Sequence, residues 1–280
     1  MYHLDLLRED FQNNSEKSQE IIRFLHKRKY YKAIEISNFC EGVVFDLKKS
    51  FSDEARLNEA YLLQKYFCLL KYLSIFWNRV ELGHYYDSWW SLQDAIDTLR
   101  IIKKFYQPDS KTLNFLESNL TALESLYPYT LFSSLGFIVE RYECGICNLN
   151  ITDERCNHIQ GEIYSGEMAT SIAVELKKID HLALVENPKD KRLAINIGDE
   201  NPHFGIFREL IAIFDKNNYG PLDISNVVKS EFKVLDEKWK DIPRNSVCYC
   251  GSGVKYKKCC ISNKYKKHVH VDFVISSMFC

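Results

Sequence analysis

Through residues 1–130, apolar positions recur every three to four residues, the spacing of helices that each bury one face. The strongest run is ARLNEAYLLQKYFCLLKYLSIFWNRVEL. Ser52, Asp53 and Glu54 before it supply a capping hydroxyl and first-turn acids, and Gly83 after it supplies the expected stop. Leu62, Leu63, Tyr66, Phe67, Leu69, Leu70, Leu73, Phe76 and Trp77 cover much of its circumference, so this helix is expected at the centre of a bundle. A further helix is predicted over Tyr86–Tyr106, ending before Pro108. Another is predicted from Asp109 or Ser110 to just before Pro128, and an earlier pair on either side of Lys29.

After Pro128 the period changes. FIVERYE (Phe137–Glu143) alternates, and HLALVE (His181–Glu186) and RLAINI (Arg192–Ile197) read as short strands joined by the turn-like NPKDK. A short EIY strand lies between Gly161 and Gly166. Phe204–Asp215 and Ile224–Trp239 return to helical spacing, and HVHVDFVISSMFC at the end alternates like a strand. His268, His270 and Asp272 share one face of it, a surface metal site or an ordinary edge strand. The expected fold is mainly α with a small α+β domain. Its parts are a helical-hairpin domain (1–130) and an α+β domain (131–215), a helical connector (216–242), and two further segments (243–262 and a basic, strand-like tail, 263–280); Cys144, Cys147, Cys156 and His158 in the second part make it a zinc-ribbon domain, and Cys248, Cys250, Cys259 and Cys260 make 243–262 a zinc knuckle, as argued below. KYYKAIEIS at Lys29 and HYYDSWWSL at His84 form a faint repeat, and each is similar to the tyrosine-containing turn of tetratricopeptide-type helical hairpins.

Only 11 Gly and 6 Pro in 280 residues argue against an all-β fold, and 46% hydrophobic residues argue against wholesale disorder. No apolar run reaches the ~18 residues of a membrane span, and MYHLDLLREDFQ is not a signal peptide, so a cytoplasmic location is expected. The net charge of -1 hides an uneven distribution. Arg244, Lys255, Lys257, Lys258, Lys264, Lys266 and Lys267 fall in one stretch without an acid, which leaves the rest of the chain acidic.

Seven of the ten cysteines sit in two tight clusters, while Cys40, Cys68 and Cys280 are scattered. In a chain without a secretion signal, such clusters read as metal ligands and lone cysteines as small buried hydrophobes. PRNSVCYCGSGVKYKKCC (Pro243–Cys260) resembles the SEC-C motif, the zinc-binding module named for the C-terminus of the SecA ATPase. Arg244, Asn245, Cys248-x-Cys250, Gly251-Ser252-Gly253, Lys255-Tyr256-Lys257-Lys258 and Cys259-Cys260 carry the resemblance. It departs at Val247, Tyr249 and Val254, none of them a ligand. The resemblance implies a docking module. Four thiolates at this spacing suit a structural zinc ion, which must supply the folding energy of so short a segment. The cationic residues with Tyr249, Tyr256 and Tyr265 between them suggest a surface for nucleic acid or an acidic protein; the alternative is a solvated appendage.

The second cluster is Cys144-x2-Cys147 with Cys156-x-His158, again a four-donor zinc set. It is loosely similar to zinc ribbons of prophage-type and mobile-element proteins. Two structural zinc ions are thus expected. Candidates for catalysis are weaker. Arg79-x4-His84 is similar to the arginine–histidine pair of HEPN-type ribonucleases, and His181, Asn196 and His203 follow the order of an HNH nuclease. A chance pair at a helical turn and a histidine at a strand start explain them as well. The function expected is a zinc-binding adaptor of a prokaryotic complex, in a mobile element or phage defence. Its partner would be a protein, with nucleic acid as a second option through the basic knuckle. No membrane and no small-molecule substrate are inferred, and a nucleic-acid-cleaving enzyme is the alternative.

Overall fold

A computed structural model of the chain describes residues 4–11, 14–235, 241–263 and 265–278, with the side chains at 263 and 266–268 left undescribed. It falls into two units, Met1–Ser225 with Ser276–Cys280, and Asn226–Ile275.

The first unit is built on five helices: α1 (Asn14–His26), α2 (Tyr30–Lys48), α3 (Glu54–Glu81), α4 (Tyr85–Phe105) and α5 (Lys111–Ser125). Asp53 caps α3, accepting from the Arg56 amide, and Ser110 caps α5, accepting from Leu113. α3 packs against both α2 and α4, and Leu63, Tyr66, Phe67, Phe76 and Trp77 are fully buried on it, as its apolar circumference requires.

The two tyrosine turns share one geometry. A residue of positive φ (Arg28 at 59°, Gly83 at 78°) precedes a helix-capping residue with ψ of 58° at Lys29 and 69° at His84. Tyr30 and Tyr85 then turn inward, each 4% exposed. The Tyr30 hydroxyl donates to Glu81 at 2.6 Å, and Tyr85 stacks on Phe204 and Phe207 with centroids 4.7 and 5.6 Å apart. Those two rings, with Phe214 packed on Trp77, seat α6 (Gly205–Asn217) on the bundle.

From the bundle, the chain enters a long antiparallel ribbon of β1 (Phe132–Cys144) and β4 (Ser171–Val185). Between them lies a small hairpin of β2 (Ile163–Tyr164) and β3 (Glu167–Met168). Its two-residue turn, Ser165 and Gly166, has φ of 49° and 78°, as a tight hairpin turn requires. The second unit carries a ribbon of β5 (Ile224–Leu235) and β6 (Tyr265–Ile275).

Two expectations are corrected. The run from Ile224 is a strand to Leu235, not a helical connector, and residues 236–240 lie outside the described set. ISNVVKSEFKVL fits either period locally; pairing with β6 decides it. RLAINI is not a strand: Lys191–Leu193 is a 3-10 turn, and Ala194 alone bridges to Phe132. Among the described residues, no helix is long and apolar enough to cross a membrane.

Candidate metal centres

Cys144 ends β1, and the chain reverses over Gly145 and Ile146 to Cys147. Asn148, at φ 57°, returns its amide to the Cys144 carbonyl at 2.8 Å, and the Ile146 amide points at Cys144 Sγ at 3.5 Å. The amides of Cys147 and Ile146 lower the Cys144 thiol below its usual value, which favours the thiolate a metal needs. Asp153 carries the chain towards Cys156, whose amide it accepts at 2.8 Å; Arg155 and its own amide hold the Asp153 carboxylate down to about 2. His158 packs edge-on against Tyr164, centroids 4.8 Å apart, and the Tyr164 hydroxyl accepts from the Ile159 amide at 2.9 Å.

The donor atoms of Cys144, Cys147, Cys156 and His158 all lie within 4.8 Å of one another. His158 Nδ1 is buried and has no hydrogen-bond partner among the described residues, which suits a nitrogen reserved for a metal. The four residues fit a bound ion.

This centre is fastened to the helices. Lys104 Nζ on α4 donates to the Gly161 carbonyl and to Glu162, each at 2.7 Å. Asn58 on α3 accepts the Gly166 amide at 2.7 Å, Glu54 accepts the Ser165 amide, and Lys48 of α2 donates to the Gly166 carbonyl. A Cβ at Gly166 would come within 2.7 Å of the Leu57 carbonyl oxygen. None of these helix residues carried a sequence signal for this contact; Glu54 read only as a first-turn acid, and the hairpin glycines alone pointed to a turn here.

The second cluster lies in the other unit. Val247 bridges to Lys255, the Cys248 amide donates to the Val254 carbonyl at 2.8 Å, and the loop between turns on Gly251 and Gly253 at φ 77° and 72°. The Tyr256 amide donates to Ser246, and the Lys257 amide to Arg244. The sulfurs of Cys248, Cys250, Cys259 and Cys260 converge: Cys250 Sγ is 3.5 Å from both Cys248 and Cys259, and Cys259 Sγ is 3.7 Å from Cys260. Hydrogen bonds from Ser252, side chain first and then amide, bring the Cys250 thiol down to about 6.

Residues 244–261 match the SEC-C motif. The SEC-C knuckle has a core of its own, in which Tyr256 and Cys248, each 3% exposed, pack against Ile242, Cys259, Cys260 and Ile261. Tyr256, which the sequence places among the docking residues, lies inside this core and not on its surface. Arg244, Lys255, Lys257 and Lys258 are exposed around the knuckle, as are Val247, Tyr249 and Val254. Lys264 and the side chains of Lys266 and Lys267 lie outside the described residues.

A UPF0225 protein of Serratia proteamaculans (strain 568) is 41% identical over 61 residues, which are 19% of this chain. The match spans 39% of that relative's length. No solved structure matches the chain.

The other candidates are held locally. Arg79 donates to the Asp87 carbonyl at 2.9 Å and to Ser91, tying the end of α3 to the start of α4. His84 is exposed at the cap of α4. His181 contacts the neighbouring Asp180 at 3.0 Å, Asn196 accepts from the Gly198 amide, and His203 sits in a 3-10 turn capped by Asn201. His270 pairs with Asp272 on β6, and the side chain of His268 lies outside the described set. Cys40 and Cys68 are pushed up to about 11, burial being the main cause, as inert core thiols are.

Proposed function

We propose that the chain is a zinc-binding adaptor whose two zinc ions are structural and whose SEC-C knuckle is a docking surface. The observation that carries the zinc reading is the sulfur spacing in the knuckle. Ligands about 2.3 Å from one ion in tetrahedral geometry stand about 3.8 Å apart, whereas a disulfide requires about 2.05 Å. The separations of 3.5 to 3.7 Å belong to the first arrangement. Four soft thiolates favour zinc among common divalent ions, and three thiolates with one imidazole favour it almost as well. Four protein donors in each set leave no position for a substrate or a reactive water, so both ions would hold structure.

Two features support the adaptor reading. The SEC-C knuckle surrounds a site of formal charge near -2 with exposed cations, and a helical-hairpin bundle offers an extended surface to a protein partner. The cations would also attract the phosphates of a nucleic acid.

The test reverses Lys255, Lys257 and Lys258 to Glu and leaves the ligands intact. Zinc content should stay unchanged, while binding to an acidic peptide and to a single-stranded RNA probe should fall at least about tenfold at low salt. Unchanged binding with zinc retained would make the knuckle a solvated appendage.

A further inference from the structure

The cations of the SEC-C knuckle differ from those of the first unit. There, Arg28, Arg56, Lys71, Lys103, Lys104 and Arg192 each pair with a carboxylate. In the knuckle, Arg244, Lys255, Lys257 and Lys258 are exposed, and none of the four pairs with a carboxylate among the described residues. The sequence holds no acid from Ile242 to Val271. Folding gathers these cations: the Lys257 amide donates to the Arg244 carbonyl at 2.9 Å, and Val247 bridges to Lys255. Their charge exceeds the formal -2 of a four-thiolate zinc site, so a positive surface is left over with the ion bound. The knuckle also exposes apolar side chains: Val247 is 67% exposed, Tyr249 71% and Val254 44%. Tyr249 lies between two sulfur donors, Cys248 and Cys250, so an ion bound there fixes the backbone on both sides of the ring.

We propose, on the zinc-bound docking reading above, that this surface binds single-stranded nucleic acid, with phosphates on the cations and an unstacked base on Tyr249. Charge alone would suit any polyanion, and the exposed ring decides among them. A single strand supplies phosphates and free base faces in alternation, and base–aromatic stacking tolerates any sequence. A duplex keeps its base faces stacked on one another. An acidic peptide brings charge without a flat apolar group to cover the ring. A ring whose backbone is already held loses little freedom when a base stacks on it.

The experiment is fluorescence anisotropy with the zinc-loaded full chain. The probes are oligouridylate and oligothymidylate of about 12 nucleotides, a mixed-sequence duplex of the same length, and a glutamate peptide of about 12 residues. Each single strand should bind at least about tenfold more tightly than the duplex or the peptide. The duplex has the higher charge density, so binding by charge alone would reverse that order. Tyr249→Ala should weaken single-strand binding at least about fivefold with zinc content unchanged, and Tyr249→Phe, which keeps the ring, should bind within about twofold of the wild type. If Tyr249→Ala loses zinc, the order of the probes on the wild type decides alone. Absent single-strand binding, a duplex or peptide bound as tightly as the single strands, or no effect of Tyr249→Ala at full zinc content overturns the proposal. Failure of the docking reading looks different: reversing Lys255, Lys257 and Lys258 then leaves the binding of every probe unchanged.

Discussion

Gly166 and Gly83 separate two costs that a sequence presents as one. Both have φ of 78°, so an alanine at either pays the left-handed backbone penalty of about 1–2 kcal/mol. At Gly83 a Cβ meets nothing within 4 Å, whereas at Gly166 it meets Lys48 Cε at 2.5 Å and the Leu57 carbonyl at 2.7 Å. Gly166→Ala should therefore destabilise the first unit by about 1–3 kcal/mol more than Gly83→Ala in urea titrations. Equal losses would mean that the β2–β3 hairpin is not seated on α3. Arg79 and His84 differ in the same way. Arg79→Ala removes two hydrogen bonds between α3 and α4 and should cost about 1–2 kcal/mol, while exposed His84→Ala should stay within about 0.5 kcal/mol. Loss of RNA cleavage by purified protein in either variant, with the melt unchanged, would favour an enzyme instead.

At the scale of elements, the metal clusters and the glycines beside them were legible in the sequence because ligand chemistry is local. The four donors of each set lie within a segment of about 13–15 residues, and residue type plus spacing is enough to name them. The helices were legible for a similar reason: Asp53, Ser110 and Gly83 mark ends that each element fixes for itself. The strand at β5 was not, since Val227, Val228, Phe232 and Leu235 suit a helix until the distant β6 supplies hydrogen bonds. The fastening of the middle ribbon was not legible either, because Lys48, Asn58 and Lys104 look like ordinary surface residues of helices. That fastening makes a prediction. Cys144→Ser should lower the stability of the first unit by about 3 kcal/mol or more, since with the proposed ion bound the hairpin and the ribbon would both lean on it. Cys248→Ser should shift that unit's melt by less than about 1 kcal/mol, because the knuckle belongs to the other unit. Equal shifts, or the reverse order, would contradict the embedded placement of the first centre.

At the scale of the whole molecule, the two centres have different physical roles. The middle centre joins a ribbon to a bundle that already has a large core, with Trp77, Phe76 and Phe207 fully buried. The SEC-C knuckle has little more than Tyr256 and Cys248 as a core, so on the proposed reading a bound metal would contribute most of its folding energy, roughly 10 kcal/mol in modules of this size. The account rests on both being occupied by zinc. The most direct measurement is elemental analysis of protein prepared with zinc present and without chelators. It should give two zinc ions per chain, falling to one in Cys250→Ser and, separately, to one in Cys147→Ser. One zinc or none in the unsubstituted chain would contradict the account.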